Sequence, residues 1–171
     1  MSSDHTLSLI GFPGSGKSTI GVLLAKRLGI EFVDTDLLIQ AKEDATLAEI
    51  IARTNHHYLR EVEERVLVEM PIHKGVISTG GSVVYSPKIM ARLAAQTSVI
   101  YLRARLETVE YRISLAPDRG IASAKNQTLA DIYAERIPLY EQWAELTFDV
   151  DDQEPERIVG RIANALDTAA I

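Results

Sequence analysis

The sequence contains no cysteine, and this absence excludes disulfides, thiolate catalysis and cysteine-bound zinc. It also contains no apolar stretch that approaches the ~20 residues of a membrane helix, so we expect no membrane partner. Residues 1–5 lack a basic start followed by a long apolar run, and we therefore predict no signal peptide. Together these absences favour a soluble, cytoplasmic protein.

Basic residues are in the minority, with 18 Lys and Arg against 24 Asp and Glu and a net charge of −6. An acidic surface argues against general nucleic-acid binding, although it leaves room for local basic pockets. Hydrophobic residues at 46% and charged residues at 25% are typical of a globular chain. The length of 171 residues favours a single domain, placed over 1–171, and we expect it to act as a monomer on a small molecule.

The most informative stretch is the glycine-rich segment at residues 11–19, which reads GFPGSGKST. It has the spacing of a phosphate-binding loop, namely Gly, four residues, Gly-Lys and then Ser or Thr. Positive φ at the glycines turns backbone N–H groups towards a phosphate, and the helix that follows adds its dipole. In such loops Lys17 would reach the β- and γ-phosphates, and the Ser18 hydroxyl would bind Mg²⁺. We predict that these loop residues bind the nucleotide: Gly11, Gly14, Ser15, Gly16, Lys17, Ser18 and Thr19.

Strand and helix signals alternate along the chain, which favours a parallel sheet wrapped by helices. Short apolar, β-branched runs predict five strands, at Thr6–Ile10, Glu31–Asp34, Gly75–Ser78, Thr97–Leu102 and Leu146–Val150. The phosphate loop directly follows the first of these strands. We therefore predict an α/β fold whose ligand crevice lies at the carboxyl ends of the strands.

Helix signals lie between the predicted strands. After the phosphate loop they recur at these positions: Thr46, Asn55–Met70, Ser86-Pro87, Leu106, Thr128 and Pro155. Pro138 should kink or split the helix that Thr128 opens, because proline lacks an N–H donor. Residues 116–127 show no periodicity and are rich in polar residues, which is typical of a lid-like loop.

Two acids, Asp34 and Asp36, close the second predicted strand. In extended chain, residues i and i+2 point the same way, so both carboxylates would face the crevice. One acid near a metal and one near an acceptor hydroxyl suit phosphoryl transfer from Mg–nucleotide. The alternative is a helix cap, since the apolar run Leu37–Ile39 follows directly.

Three arginines are candidate anion contacts, although each also has an ordinary interpretation. Arg60 precedes Glu63 by one helical turn, as in a surface ion pair. Arg136 lies beside the helix-disrupting Pro138. Arg119 lies in the predicted lid, where most charged side chains are simply solvated. The pair Gly80-Gly81 either brings bare backbone to a substrate or only forms a turn. The four histidines show no metal-ligand spacing.

Taken in order, these motifs resemble those of the shikimate kinases over about Thr6 to Ala165. The matching set is the phosphate loop, Asp34-Thr35-Asp36, Leu59-Arg60-Glu61-Val62-Glu63, Ser78-Thr79-Gly80-Gly81, the lid arginine and Arg136-Ile137-Pro138-Leu139-Tyr140. The resemblance implies a three-layer P-loop NTPase fold of the nucleoside-monophosphate-kinase type. Its five-stranded parallel sheet would have the order 2-3-1-4-5, with helices on both faces. It also implies ATP-dependent phosphorylation of shikimate to shikimate 3-phosphate, a step in aromatic amino acid biosynthesis.

The resemblance implies a role for each candidate residue. Lys17 would hold the β- and γ-phosphates, while Ser18 and Asp34 would hold Mg²⁺. Asp36 would bind the ring hydroxyls and orient or deprotonate the attacking one. Arg60 and Arg136 would clamp the substrate carboxylate, with Glu63 bracing Arg60.

Gly80 and Gly81 would line the same pocket. Arg119 would stabilise the transferring phosphoryl group, and Arg112 and Pro155 would enclose the adenine ring.

Three positions differ from the usual pattern of the family. Ser82 stands where a third glycine is usual, Gly120 where a proline follows the lid arginine, and Leu59 where a phenylalanine precedes the first clamp arginine. None of these differences removes a charged contact. Because Leu59 and Ser82 could reshape the pocket, a same-fold kinase for a gluconate-like or other hydroxy acid is the alternative. A non-catalytic nucleotide-binding module is a third interpretation, disfavoured because the catalytic residue types are all present.

Overall fold

The computed structural model describes residues 5–116, 121, 124 and 126–169. Its centre is a five-stranded parallel sheet with the order β2-β3-β1-β4-β5, as the family resemblance implies. The strands are β1 Thr6–Ile10, β2 Glu31–Asp34, β3 Gly75–Ser78, β4 Ser98–Arg103 and β5 Leu146–Asp149. The helices around the sheet are α1 Lys17–Leu28, α2 Thr35–Glu43, α3 Leu47–Arg53, α4 His56–Glu69, α5 Pro87–Gln96, α6 Leu106–Ser114, α7 Leu129–Trp143 and α8 Pro155–Ala169, with a single 3₁₀ turn at Val83–Tyr85.

The register of the sheet brings the carboxyl ends of the strands to one edge. Leu9 of β1 lies beside Ser78 of β3, and Asp34 of β2 pairs with the same serine. The central strands are almost wholly buried, as near-continuous apolar runs in a parallel sheet require. The phosphate loop, the acids after β2 and the glycines after β3 therefore all begin at the same edge of the sheet.

Local sequence signals explain most of the helix boundaries. Thr46 caps α3 in a capping box, since its side chain accepts from the Glu49 N–H while the Glu49 carboxylate accepts from the Thr46 N–H. The Asn55 side chain caps α4 in the same way, by accepting from a backbone N–H of the first turn. Ser86 caps α5, and Pro87 occupies the first turn, where its missing N–H costs nothing. These predicted starts are confirmed.

Pro138 was predicted to kink or split its helix, and the split is wrong. Helix α7 runs without interruption from Leu129 to Trp143 and contains this proline. Proline removes a single backbone donor, whereas the helix is held by the burial of three side chains on one face, those of Ile132, Arg136 and Tyr140. Tertiary packing outweighs the local defect.

The predicted lid, residues 116–127, falls largely outside the described residues, and both Arg119 and Gly120 lie outside them. Of the described lid residues, Ile121 lines a pocket together with Asp36. Among the helices that the structure describes, none combines the length and the apolar character that crossing a bilayer requires.

Two glycines outside the site give a test of this packing. A Cβ at Gly75 would lie 2.9 Å from the Glu31 carbonyl oxygen of the neighbouring strand, whereas a Cβ at Gly160 in α8 would meet open space. We expect Gly75→Ala to lower the free energy of unfolding by about 1–3 kcal/mol, because the backbone of β2 must shift. Gly160→Ala, the matched control, should raise it by about 0.5–1 kcal/mol, since alanine favours the helix. Urea unfolding measures both changes, and equal effects would contradict the strand spacing.

Candidate active site

The phosphate loop has the backbone that its glycines predict. Gly11, Gly14 and Gly16 all have positive φ, at 151°, 87° and 93°. Gly11 also has no room for a side chain, because a Cβ there would lie 2.6 Å from the carbonyl oxygen of Leu102. Helix α1 begins at Lys17 directly after Gly16, so its first N–H groups face the concave side of the loop. The loop is therefore formed as an anion cradle by its own backbone.

The side chains of Lys17 and Ser18 make different contacts. The Lys17 ammonium group is buried and donates to the carbonyl oxygens of Gly11 at 2.8 Å and Phe12 at 3.1 Å, so it is held across the mouth of the loop. The exposed Ser18 hydroxyl donates to Asp34 at 2.6 Å. Mg²⁺ prefers one or two carboxylates together with hydroxyl, water and phosphate oxygens, and the Ser18–Asp34 pair offers this donor set.

Asp34 and Asp36 do not lie on one face of a strand, so the prediction from strand alternation is wrong. Strand β2 ends at Asp34, and Thr35 already begins helix α2. Asp34 is itself the cap, because one of its carboxylate oxygens accepts from the Asp36 N–H at 2.9 Å. The helical turn nevertheless directs Asp36 into the crevice, where it lines a pocket with Lys17. The helix-cap alternative therefore holds, with Asp34 as the cap, whereas the role of Asp36 in the pocket stays a prediction.

The pair Gly80-Gly81 forms a turn that is packed too tightly for side chains. A Cβ at Gly80 would collide with a carboxylate oxygen of Glu63 and lie 3.0 Å from Asp36. A Cβ at Gly81 would lie 2.6 Å from the ring of Pro13 in the phosphate loop. The turn thus joins the phosphate loop to the pocket by direct contact.

Arg136 reaches the same pocket from α7 and is only 1% exposed. Its guanidinium carbon lies 5.7 Å from the centre of the Phe12 ring. One of its nitrogens lies 3.2 Å from the place where a Cβ at Gly81 would stand. A buried, oriented guanidinium presents a planar fork that matches a carboxylate.

Arg60 lies in an adjoining cleft of about 520 Å³ rather than in the pocket itself. The cleft and the pocket share Glu63 and Ser82 as a common wall. The guanidinium of Arg60 stacks over the ring of Tyr85, with its central carbon 3.9 Å from the ring centroid. The structure thus brings five predicted residues into one pocket, while Arg60 lines the adjoining cleft. The five are Lys17, Asp36, Gly80, Gly81 and Arg136.

A separate cleft of about 260 Å³ opens beside the phosphate loop. Arg112 lies on one side and donates to the Gly14 carbonyl oxygen at 3.0 Å, while Pro155 at the start of α8 lies in the same lining. Thr19 lines this cleft as well. A flat guanidinium and a proline ring in one cleft suit an aromatic base, so the predicted adenine position stays consistent with the geometry.

Comparison with known proteins decides the family. The family model for shikimate kinase matches residues 13–167. The shikimate kinase of Mycobacterium avium is 38% identical over 168 residues, covering 92% of this chain and 91% of its own, and that of Thermobifida fusca is 32% identical over 99% of both chains. The chain belongs to the shikimate kinase family.

Solved structures agree with this membership in the shikimate kinase family. The shikimate kinase from Acinetobacter baumannii, solved in complex with shikimate, superposes with a TM-score of 0.90 at 27% identity and covers 98% of this chain and 96% of its own. A gluconokinase from Sinorhizobium meliloti has a TM-score of 0.53 at 16% identity, covering 98% of this chain and 94% of its own, which shows a shared fold alone.

Two tyrosines of the site, Tyr85 and Tyr140, were not predicted from the sequence. Tyr140 is fully buried in α7, and its hydroxyl donates to the Gly81 carbonyl oxygen, which fixes the glycine turn. Tyr85 ends the 3₁₀ turn and contacts both Arg60 and Arg136. Tyr140 lies in the motif that begins at Arg136, so its position in the sequence was a usable signal. Tyr85 lies in an irregular turn, and no periodic pattern in the sequence predicts its orientation.

Glu63 is the buried acid of the site and has an unusual pKa. Burial raises the pKa of this carboxyl from 4.5 to about 7, against the opposing effects of the Ser82 hydrogen bond and the two arginines. The Ser82 hydroxyl donates to Glu63 at 2.5 Å. The nearby Asp36 carboxylate raises the pKa further. Glu63 therefore changes charge near neutral pH, within reach of both Arg60 and Arg136.

This pKa predicts how stability depends on pH. The folded protein keeps the Glu63 proton up to about pH 7, whereas the unfolded chain releases it near pH 4.5. The stabilisation from this proton is complete below pH 4.5 and is lost as the pH rises to about 7. The wild type should therefore lose unfolding free energy relative to Glu63→Gln between pH 4.5 and 7, as measured by urea titrations across that range. Glu61→Gln, exposed on the same helix, is the matched control and should follow the wild type. A constant difference between wild type and Glu63→Gln would contradict the raised pKa.

Proposed function

We propose that this chain catalyses transfer of the γ-phosphoryl group of ATP to a hydroxyl of shikimate. One observation carries the proposal: the buried Arg136 guanidinium and the Asp36 carboxylate line the same pocket as Lys17 of the phosphate loop. A carboxylated polyol needs a cation for its carboxylate and an acid for its hydroxyls, and its acceptor oxygen must reach the donor phosphate. Membership in the shikimate kinase family supports the same substrate.

On the acceptor side, Arg136 binds the carboxylate as a bidentate fork, and Arg60 of the adjoining cleft is the second cation of the clamp. Asp36 accepts a hydrogen bond from the attacking hydroxyl and orients it or removes its proton. The backbone of Asp36 is restrained in the first turn of α2, since its N–H is bound to Asp34. Gly80 and Gly81 supply the tight floor of the pocket.

On the donor side, the loop N–H groups hold the phosphates and Lys17 takes the charge of the β- and γ-groups. Ser18 and Asp34 would hold Mg²⁺, which neutralises phosphate charge when bound. Arg112 and Pro155 flank the adenine ring. Arg119, which lies outside the described residues, is proposed as the lid arginine on the ground of the family resemblance alone. A monomeric, cytoplasmic enzyme remains a prediction.

A coupled ADP-release assay with Mg–ATP and a panel of hydroxylated acids tests the proposal. We expect turnover with shikimate and little with gluconate or glycerate. Lys17→Ala should abolish turnover, because a missing phosphate contact removes charge stabilisation that the reaction requires. Activity that survives Lys17→Ala, or ADP release that does not depend on shikimate, would contradict the proposed transfer.

Arg136→Ala separates acceptor binding from donor binding. Loss of charge-assisted hydrogen bonds, worth about 1.5–3 kcal/mol each, should raise the shikimate KM about 10- to 100-fold. The ATP KM should change less than about twofold on the same scale. Arg136→Lys keeps the charge without the fork and should fall between Ala and wild type. Arg27→Ala, exposed at the end of α1, is the matched control. Equal increases in both KM values would remove Arg136 from the acceptor pocket.

A further inference from the structure

Tyr85 contacts both arginines of the proposed carboxylate clamp. Its ring lies beneath the Arg60 guanidinium, with 3.9 Å between the central carbon and the ring centroid. Its hydroxyl oxygen accepts a hydrogen bond from Arg136 Nε at 3.3 Å, and the Arg136 guanidinium carbon lies 5.2 Å from the same ring centroid. Tyr85 thus contacts both Arg136 of the pocket and Arg60 of the adjoining cleft.

The turn that contains Tyr85, the neighbouring Ser86 and a hydrogen bond to Glu135 restrain this residue. It ends the 3₁₀ turn, whose Val83 and Val84 are buried in the core. Ser86, the next residue, caps helix α5 and also donates to Glu64 of α4 at 2.5 Å. The Tyr85 hydroxyl donates its proton to Glu135 of α7. These contacts restrain the position of Tyr85 without any ligand.

The hydrogen-bond roles of the tyrosine are consistent with one another. Burial and the Glu135 carboxylate raise the pKa of Tyr85, so the hydroxyl keeps its proton at neutral pH. The proton goes to Glu135, and a lone pair remains to accept from Arg136. A cation over an aromatic face is likewise attracted by the ring quadrupole, so both arginines are held by complementary contacts.

We propose that Tyr85 is a positioning residue for acceptor binding, which orders Arg60 through its ring and Arg136 through its hydroxyl oxygen. Arginine has many rotamers, and ordering two of them on ligand binding would lower affinity. Tyr85 restricts both guanidinium groups beforehand, and it does so without contacting the reacting atoms. This inference rests on the proposed function, because it presumes that the two arginines bind the shikimate carboxylate.

Two variants separate the ring from the hydroxyl. Tyr85→Leu removes both and should raise the shikimate KM about 5- to 30-fold, on the scale of a partly desolvated cation–aromatic contact. Tyr85→Phe keeps the ring and should raise it only about 2- to 5-fold, since the lost hydrogen bond is long. Neither variant should change the ATP KM more than about twofold on the same scale. Tyr111→Leu, which removes an exposed tyrosine from α6, is the matched control.

An acceptor without a charged carboxylate distinguishes positioning from simple packing. The wild type should prefer shikimate over its methyl ester, and Tyr85→Leu should reduce that preference by the same factor that it adds to the shikimate KM. A packing role would weaken both acceptors equally and leave the preference unchanged.

Titration calorimetry with shikimate in the absence of nucleotide keeps the two proposals apart. If the wild type binds and turns over shikimate while the acceptor preference of both Tyr85 variants stays unchanged, the positioning role is overturned and the proposed function stands. A shikimate KM that falls in Tyr85→Leu would also overturn it, because Tyr85 would then hold Arg60 away from the ligand. If the wild type neither binds nor phosphorylates shikimate, the proposed function fails and the Tyr85 role fails with it.

Discussion

The close contact between two turns is the constraint on which the site depends. Gly81 packs against Pro13 of the phosphate loop so closely that a Cβ would lie 2.6 Å from the proline ring. The same turn contacts Glu63 and Asp36 through Gly80, and the Tyr140 hydroxyl fixes it from below. Because these contacts leave no room for a side chain at either glycine, the phosphate loop and the pocket are held close together. On the proposed function, donor and acceptor would be aligned before either is bound, and positioning of this kind is a main contribution of a phosphoryl-transfer enzyme.

Charge is concentrated within this rigid frame. Arg136 is 1% exposed and Glu63 is 3% exposed, and such groups are stable only among compensating charges and hydrogen bonds. Glu63 lies within electrostatic reach of Arg60, Arg136 and Asp36, and its pKa near 7 lets the net charge of the wall change without a change of shape. In its ionised form it balances the arginines, whereas in its protonated form it leaves more positive charge for an incoming carboxylate. The pocket therefore suits an anionic acceptor better than a neutral one.

The sequence was a good guide to features set by local chemistry and a poor guide to features set by packing. Glycine spacing predicted the phosphate loop, and capping residues predicted the helix starts, because each depends on a few adjacent residues. Asp36 reached the crevice by a helical turn rather than by strand alternation, and Pro138 did not split α7. The first error arose at a local cap, because Asp34 caps α2 directly at the end of the strand, and the second arose because burial of one face of α7 outweighed the proline. Tyr85 could not be foreseen because its orientation depends on an irregular turn between two regular elements.

Two positions that differ from the family pattern, Leu59 and Ser82, line the pocket. Ser82, which occupies the place of a usual glycine, is buried and gives Glu63 a hydroxyl donor, while Leu59 is a buried part of the apolar wall. Charge alone cannot separate shikimate from gluconate, since both carry a carboxylate and several hydroxyls. Discrimination must therefore come from shape, and a rigid ring loses less entropy than a flexible chain when it packs against Leu59, Ile39 and Leu47. On the proposed function, the arginines and Asp36 would define the class of acceptor, and the apolar wall would decide which member of that class fits.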